Sequence, residues 1–268
     1  MAHKYSLRCT LYTLVFLGIC VVQAVADKQE DLAKESQNPI GNIISLPFEN
    51  NFDFGVGPED AFVYKLNVKP VYPLNLGNVN LINRFILPVI YQEERVEGEG
   101  SEFGLGGFHL PGFLFARQAR QGHLGVGPAF VFPTNTNDRL GVDKWSAGPA
   151  IVALAKPGHW LVGVLVQNVW SYAGDDDAPD VNFLSFQYFI NYNFKSGWYI
   201  SSTPTISADW EADSDDRWTV PFGGGVGRLV KFGKQPVDIK GQAFWNAVKP
   251  DGAADWALQL QFKLLFPK

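Results

Sequence analysis

The stretch DWALQLQFKLLFP, residues 255–267, decides the fold. Read by twos, Trp256, Leu258, Leu260, Phe262, Leu264 and Phe266 form an unbroken apolar face. Ala257, Gln259, Gln261 and Lys263 form a mostly polar face that only Leu265 spoils. This alternation outlasts the usual strand of about 5–6 residues and matches the roughly 9–11 tilted residues that carry a strand across a bilayer's hydrocarbon core. An aromatic at each end of the apolar face suits a membrane–water boundary. The competing explanation is a long edge strand of a secreted sandwich, and the rest of the chain decides between the two.

The N-terminus sets the compartment. His3, Lys4 and Arg8 precede an apolar run from Leu11 to Val22, and Ala24-Val25-Ala26 is an A-x-A cleavage motif. Residues 1–26 therefore read as a signal peptide cleaved near Ala26. Both cysteines, Cys9 and Cys20, fall within it, so the mature chain has no disulfide to staple it. Of the 22 basic residues Lys4 and Arg8 leave with the signal, so 20 remain against 27 acidic ones, a formal charge of −7. Such a balance speaks against a nucleic-acid partner. No apolar run of about 18 residues follows residue 26, so any membrane crossing is made by strands. The next stretch, DKQEDLAKESQN (27–38), is charged, lacks aromatics and ends at Pro39. We read residues 27–42 as a periplasmic tail or short helix, solvated because no apolar face is visible. The competing reading folds this stretch into a barrel mouth as a plug.

From Ile44 onward twelve segments are compatible with strands: about 44–56, 61–74, 79–91, 103–115, 123–134, 144–155, 159–173, 181–194, 198–212, 217–230, 237–249 and 256–266. Their connections fall into two alternating kinds. The short set (75–78, 116–122, 156–158, 195–197, 231–236) carries six basic residues and no acidic ones. The other set (57–60, 92–102, 136–143, 175–180, 213–216, 251–255) carries eighteen acidic residues against Arg95 and Arg139. Alternate connections of an up-and-down meander lie at opposite ends of its strands, so this meander has one acidic and one basic rim. A Greek-key sandwich gives no reason for such sorting. An even strand number puts both barrel ends on the short-turn side. Trp145, Trp170, Trp210, Trp218 and Trp256 fall near the acidic rim and Trp160 and Trp198 near the basic one, with Trp245 closer to mid-strand. Two indole girdles are what an interfacial belt requires. The fold expected is all-β: a transmembrane antiparallel up-and-down barrel of about 12 strands over residues 43–268, in the outer membrane of a Gram-negative cell. Proline opposes the detail. Pro47, Pro70, Pro88, Pro111, Pro128, Pro149, Pro204 and Pro221 fall inside these strands, where each removes a ladder donor, so bulges or shifted boundaries are required.

Chemistry is sparse. His109, His123 and His159 are the only histidines after residue 26, and Trp145-Ser146-Ala147-Gly148 lacks the first glycine of a nucleophile elbow. Phe222-Gly223-Gly224-Gly225-Val226-Gly227 has no following Lys-Ser/Thr and no helix, so it is no phosphate loop. Its glycines allow sharp coiling or a bulky neighbour. Asp175-Asp176-Asp177 and Asp213-Ser214-Asp215-Asp216 lack EF-hand spacing. No catalytic residue, metal site or cofactor is expected.

The inward face carries the functional reading. Strand parity points Lys65, Lys69, Arg84, Gln187, Asn191, Asn193, Asp209, Glu211, Asp238, Lys240, Gln242, Gln259, Gln261 and Lys263 into the lumen, with Phe189 and Phe244 among them. Both charge signs, amides and a few rings would line a narrow hydrated passage for small polar or amphipathic solutes rather than a packed apolar core. The alternative is mutual pairing that closes the lumen.

Several segments resemble one family. NNFDF (50–54), KWSAGPA (144–150), NVWSYAG (168–174), INYNF (190–194), GWYISSTP (197–204), SADWEA (207–212), WTVPFGGGVG (218–227), GKQPV (233–237) and ADWALQLQFKLLFPK (254–268) are similar to bacterial outer-membrane proteins labelled as transporters or "MetA-pathway of phenol degradation" proteins, sometimes mislabelled neuromedin U. The resemblance covers about residues 32–268 and implies a Gram-negative outer-membrane barrel linked to uptake of aromatic compounds. It carries over no individual site residue. One departure is that Pro267 and Lys268 follow Phe266, where outer-membrane barrels often end on an aromatic. The function expected is a porin-like channel for small solutes, aromatic or amphipathic ones among them, with outer-membrane lipid and lipopolysaccharide as surroundings. An interaction barrel whose acidic loops bind lipopolysaccharide-bridging cations is the alternative, and an outer-membrane hydrolase ranks below it. The sequence leaves oligomeric state open.

Overall fold

The computed structural model describes residues 30–39, 41–116 and 122–267; the signal-peptide reading lies outside them. Sixteen hydrogen-bonded segments join into twelve antiparallel strands that close on themselves. We number them β1 (Ile44–Val56), β2 (Ala61–Val68 continued by Val71–Leu76), β3 (Val79–Arg84 and Leu87–Gln92), β4 (Glu102–Leu105 and Phe108–Ala116), β5 (Gly122–Phe132) and β6 (Lys144–Ala155). There follow β7 (Trp160–Gly174), β8 (Asn182–Asn193), β9 (Trp198–Ser202 and Thr205–Asp209), β10 (Trp218–Phe232), β11 (Gln235–Val248) and β12 (Trp256–Phe266). Each pairs with its neighbours in the chain, and β12 returns to β1 in unbroken register from Ile44↔Phe266 to Phe54↔Trp256. Closure leaves no strand edge to aggregate or to desolvate in lipid.

Prolines explain where the strands break. Pro70 and Pro204 sit in two-residue gaps, and Pro221 sits at a register shift. The gaps in β2 and β3 stand side by side, because Val68 pairs with Leu87 and Val71 with Arg84. Hydrogen bonds bridge them: Lys69 N donates to Pro47 O (2.9 Å), and Phe85 N donates to Pro70 O (3.0 Å). Pro128 and Pro149 face each other across β5 and β6, which gathers two missing donors at one place.

The outer surface is apolar around its circumference. Leu124, Val126, Ile151, Ile190, Ile200, Val226, Leu260 and Phe262 are all exposed. An aqueous surface of this kind would be an aggregation liability, whereas lipid accepts it. Trp145, Trp160, Trp170, Trp198, Trp210 and Trp256 are exposed near strand ends. Trp245 joins the acidic-rim belt rather than mid-strand, because it pairs directly with Trp256. Phe54 stacks on Trp256 with ring centroids 4.2 Å apart, tying the belt across the closing seam. A charge in the middle of this surface should be costly. We expect Val226→Lys to destabilise the barrel by about 2–4 kcal/mol, the range for a cation at the bilayer midplane. Urea unfolding in lipid vesicles measures it, and a loss below about 1 kcal/mol would mean that this face does not meet lipid.

The interior is divided. Ile82, Phe113, Val152, Leu154, Leu161, Leu165, Val169 and Phe189 form one packed apolar cluster on the inner wall. The expectation of an inward face without a packed apolar core is corrected for this side of the barrel. Around β7 both faces are apolar (Leu161 and Leu165 inward, Val162, Val164 and Val166 outward), so period-2 reading found no polar face to follow. The polar wall is built by β1, β2 and β8 to β12.

Candidate solute path and its closure

Two cavities share the interior. The outer one, of about 760 Å³, lies under the acidic loops. Its walls are mainly apolar, with Ile86, Pro88, Ile90, Val131, Val169, Val181 and Phe183. The loop 133–143 turns inward above it through a short 3-10 turn, Asp138–Leu140, capped by the Asn137 side chain accepting from Arg139 N. Leu140 is buried there against Val56, Ala61, Val63 and Ile90. The inner cavity, of about 90 Å³, lies towards the short-turn end and is lined by polar and charged groups. Lys69 lines both and marks the join.

The parity residues distribute over this framework. Lys69, Arg84, Gln187, Asn191, Asp238, Lys240, Gln261 and Lys263 line the inner cavity together with Phe189. Lys65, Asp209 and Glu211 line the outer one, and Glu211 lies in the loop beyond β9, which ends at Asp209. Gln242, Gln259 and Asn193 are engaged in wall networks instead. Gln242 Nε2 donates to Gln259 Oε1 (2.9 Å), whose own Nε2 donates to Asn51 Oδ1 (2.9 Å). Ser201 and Thr203 hydroxyls donate to Gln242 Oε1 (3.1 Å each). Phe244 is buried. Parity selection passed over Glu49, Tyr199, Ser201 and Thr203, which line the inner cavity from β1 and β9. Plain alternation was the available signal: Glu49 stands between Phe48 and Asn50, and Tyr199 between Trp198 and Ile200.

The basic end is occupied by α1, residues 30–37. This stretch is not solvated: Glu30, Ala33 and Ser36, one face at i, i+3 spacing, are buried. Its buried face is small and mostly polar because the surface receiving it offers polar groups around one apolar spot, so no apolar stripe announces it. Ala33 packs on Leu229 and Leu265. The Ser36 hydroxyl donates to Asp238 Oδ2 (2.8 Å), and the Tyr199 hydroxyl donates to Asp238 Oδ1 (2.7 Å). Gln37 Nε2 donates to Asn193 Oδ1 (2.6 Å), and Asn193 Nδ2 donates back to Gln37 Oε1 (3.2 Å). Lys263 Nζ donates to the Ser36 carbonyl (2.6 Å), a cation on the electronegative end of the helix. Lys156 pairs with Glu35 (2.5 Å), and Glu30 meets both Lys34 and His159 at 2.7 Å.

Burial by itself would raise the Glu35 carboxyl, but the Lys156 charge and hydrogen bond and the Asn42 N–H outweigh it and hold it below the ordinary value of 4.5. A carboxyl lowered in the docked state stabilises docking fully above its undocked pKa and loses that contribution as the pH falls through the docked one. Acidification below pH 4.5 is therefore expected to loosen α1. A spin label replacing the exposed Asp31 should gain mobility on going from neutral pH to about pH 3. The acid response should shrink in Glu35→Gln, and an identical response there would remove Glu35 from the account.

Closed strands, a lipid-facing exterior and paired indole belts define an outer-membrane-type β-barrel. Among solved structures the chain is similar to the COG4313 outer membrane channel from Pseudomonas putida F1, at 16% identity over 85% of this chain and 97% of that one, with a TM-score of 0.65. It is also similar to the NanC porin, at 9% identity over 83% and 100% of the two chains, with a TM-score of 0.50. LpxR from Salmonella typhimurium aligns at 7% identity over 83% and 100% of the two chains, with a TM-score of 0.46, too low to carry an argument. At these identities the likeness establishes the fold alone. No family model and no curated protein sequence matches the chain.

Proposed function

We infer that the protein is an outer-membrane channel that passes small amphipathic solutes, aromatic ones among them. The observation that carries this reading is the pairing of the large apolar-walled outer cavity with the polar inner cavity along one barrel axis. A cavity of 300–1,000 Å³ with mostly apolar walls and a few polar groups suits a small organic molecule. The resemblance to the phenol-degradation family supports the same solute class. Among the described residues no group of three or more His, Cys, Asp or Glu is placed to hold a metal ion.

Proteoliposomes test the reading. Phenol and benzyl alcohol should enter vesicles holding the protein faster than vesicles without it, and faster than a sugar does. Equal entry with and without protein, for every solute and in the α1-deleted form as well, would reject it. The alternative, an interaction barrel acting through its acidic loops, would instead be favoured by unchanged flux but weakened outer-membrane integrity after deletion of residues 175–180.

A further inference from the structure

The inner cavity has unequal charge. Lys69, Arg84, Lys240 and Lys263 line it against Glu49 and Asp238. Both carboxylates are taken. Glu49 pairs with Lys69, and the two oxygens of Asp238 accept the hydroxyls of Ser36 and Tyr199. Lys240 Nζ donates to the neutral Thr203 hydroxyl (3.1 Å), and Lys263 Nζ donates to the Ser36 carbonyl. Among the described residues neither has a carboxylate within ion-pair distance, and neither does Arg84, whose buried Nε has no acceptor. Asn191, 2% exposed on the same wall, has an amide oxygen without a donor, and a turned amide would present its NH₂ instead.

Four cations against two carboxylates leave an excess of two positive charges around one small space held away from bulk water. That excess favours an anion, because uncompensated charge in a low-dielectric interior is costly and a counter-charge there acts with little screening. The Arg84 fork and the two ammonium groups suit a planar carboxylate. A space of about 90 Å³ admits such a head and little more. Lys69 lines both this space and the outer cavity, and Ile86, Ile90, Val131 and Phe183 give the outer one apolar walls. We propose that the inner cavity binds the carboxylate of an amphipathic organic anion whose apolar body lies in the outer cavity. The proposal deepens the channel reading and rests on it for the route by which such a solute arrives.

Binding is measured on the full mature chain in lipid nanodiscs with benzoate, benzyl alcohol, benzylammonium and inorganic phosphate as probes. Benzoate should bind about tenfold or more tightly than benzyl alcohol, the difference one or more charged hydrogen bonds make, and benzylammonium should bind most weakly. Lys240→Gln and Arg84→Gln should each reduce benzoate affinity towards that of the alcohol, while Lys240→Arg keeps the preference. If either neutral variant fails to fold, methyl benzoate on the wild type serves in its place: the same body without the charge should bind no better than benzyl alcohol, and methyl benzoate binding as tightly as benzoate overturns the proposal. Equal affinity for benzoate and benzyl alcohol overturns the proposal. So does phosphate binding as tightly as benzoate, which would make the cavity an inorganic-anion site. A retained benzoate preference with no solute entry into proteoliposomes would reject the channel and leave the binding site standing.

Discussion

Deleting residues 27–38 is expected to raise solute entry into proteoliposomes many-fold, because α1 is what fills the basic end of the barrel. Its hold is spread over groups that can be loosened singly. Ser36→Ala takes one of the two hydroxyl donors from Asp238 and should cost docking about 1–3 kcal/mol, the penalty for a buried acceptor left short. Leu265→Ala empties the seat of Ala33 and should cost about 2–5 kcal/mol, shared between helix and barrel. Each 1.4 kcal/mol multiplies the undocked population about tenfold, so flux should rise in the order wild type, Ser36→Ala, Leu265→Ala, deletion. The two point variants act at neighbouring positions of one buried face, Leu265 under Ala33 and Ser36 one turn on, so their effects should couple rather than simply add. Unchanged flux in the deletion form would sink the plug and move the closure up to the join at Lys69 and Glu49.

The barrel was legible because lipid demands a repeated, one-sided pattern. Alternation in β8 and β12, sorted loop charges and placed tryptophans all express that demand, and the twelve strands lie within a few residues of where the pattern puts them. The interior was harder to read. A lumen imposes no single polarity, so the apolar wall from Leu154 to Val169 left no alternation, and α1 carried no long apolar stripe because its seat is one small apolar contact, Ala33 on Leu229 and Leu265, set among polar groups. One anomaly did hold the information. Leu265 breaks the polar face of β12, and in the structure it is the buried residue, 1% exposed, on which Ala33 rests. An apolar residue out of phase on an inward face is thus a mark of something packed inside. The excess of cations could not be read from sequence at all, since Arg84, Lys240 and Lys263 come from three separate strands and only the fold sets them around one space with no more than two carboxylates.

Gly227→Ala is expected to damage both the barrel and its closure. Gly227 pairs directly with Tyr199 across β9 and β10, and the ring lies over the glycine. A Cβ at 227 would fall 2.1–2.6 Å from the ring atoms Cζ, Oη and Cε2, far inside contact distance. The ring cannot swing away cheaply, because it is 1% exposed and its hydroxyl holds Asp238, which in turn holds Ser36 of α1. Overpacking costs about 1–3 kcal/mol and a broken buried hydrogen bond about 1–3 more, so roughly 2–6 kcal/mol is expected in urea unfolding. The folded fraction should also leak, since displacing Tyr199 frees Asp238 and loosens the helix. Tyr199→Ala alone should destabilise by leaving a cavity, of order 3–5 kcal/mol for a buried aromatic. The two together should be less damaging than the sum, because the second change removes the clash made by the first. Additive losses, or a Gly227→Ala barrel within about 0.5 kcal/mol of wild type, would show that the glycine serves strand coiling rather than the seat of this ring.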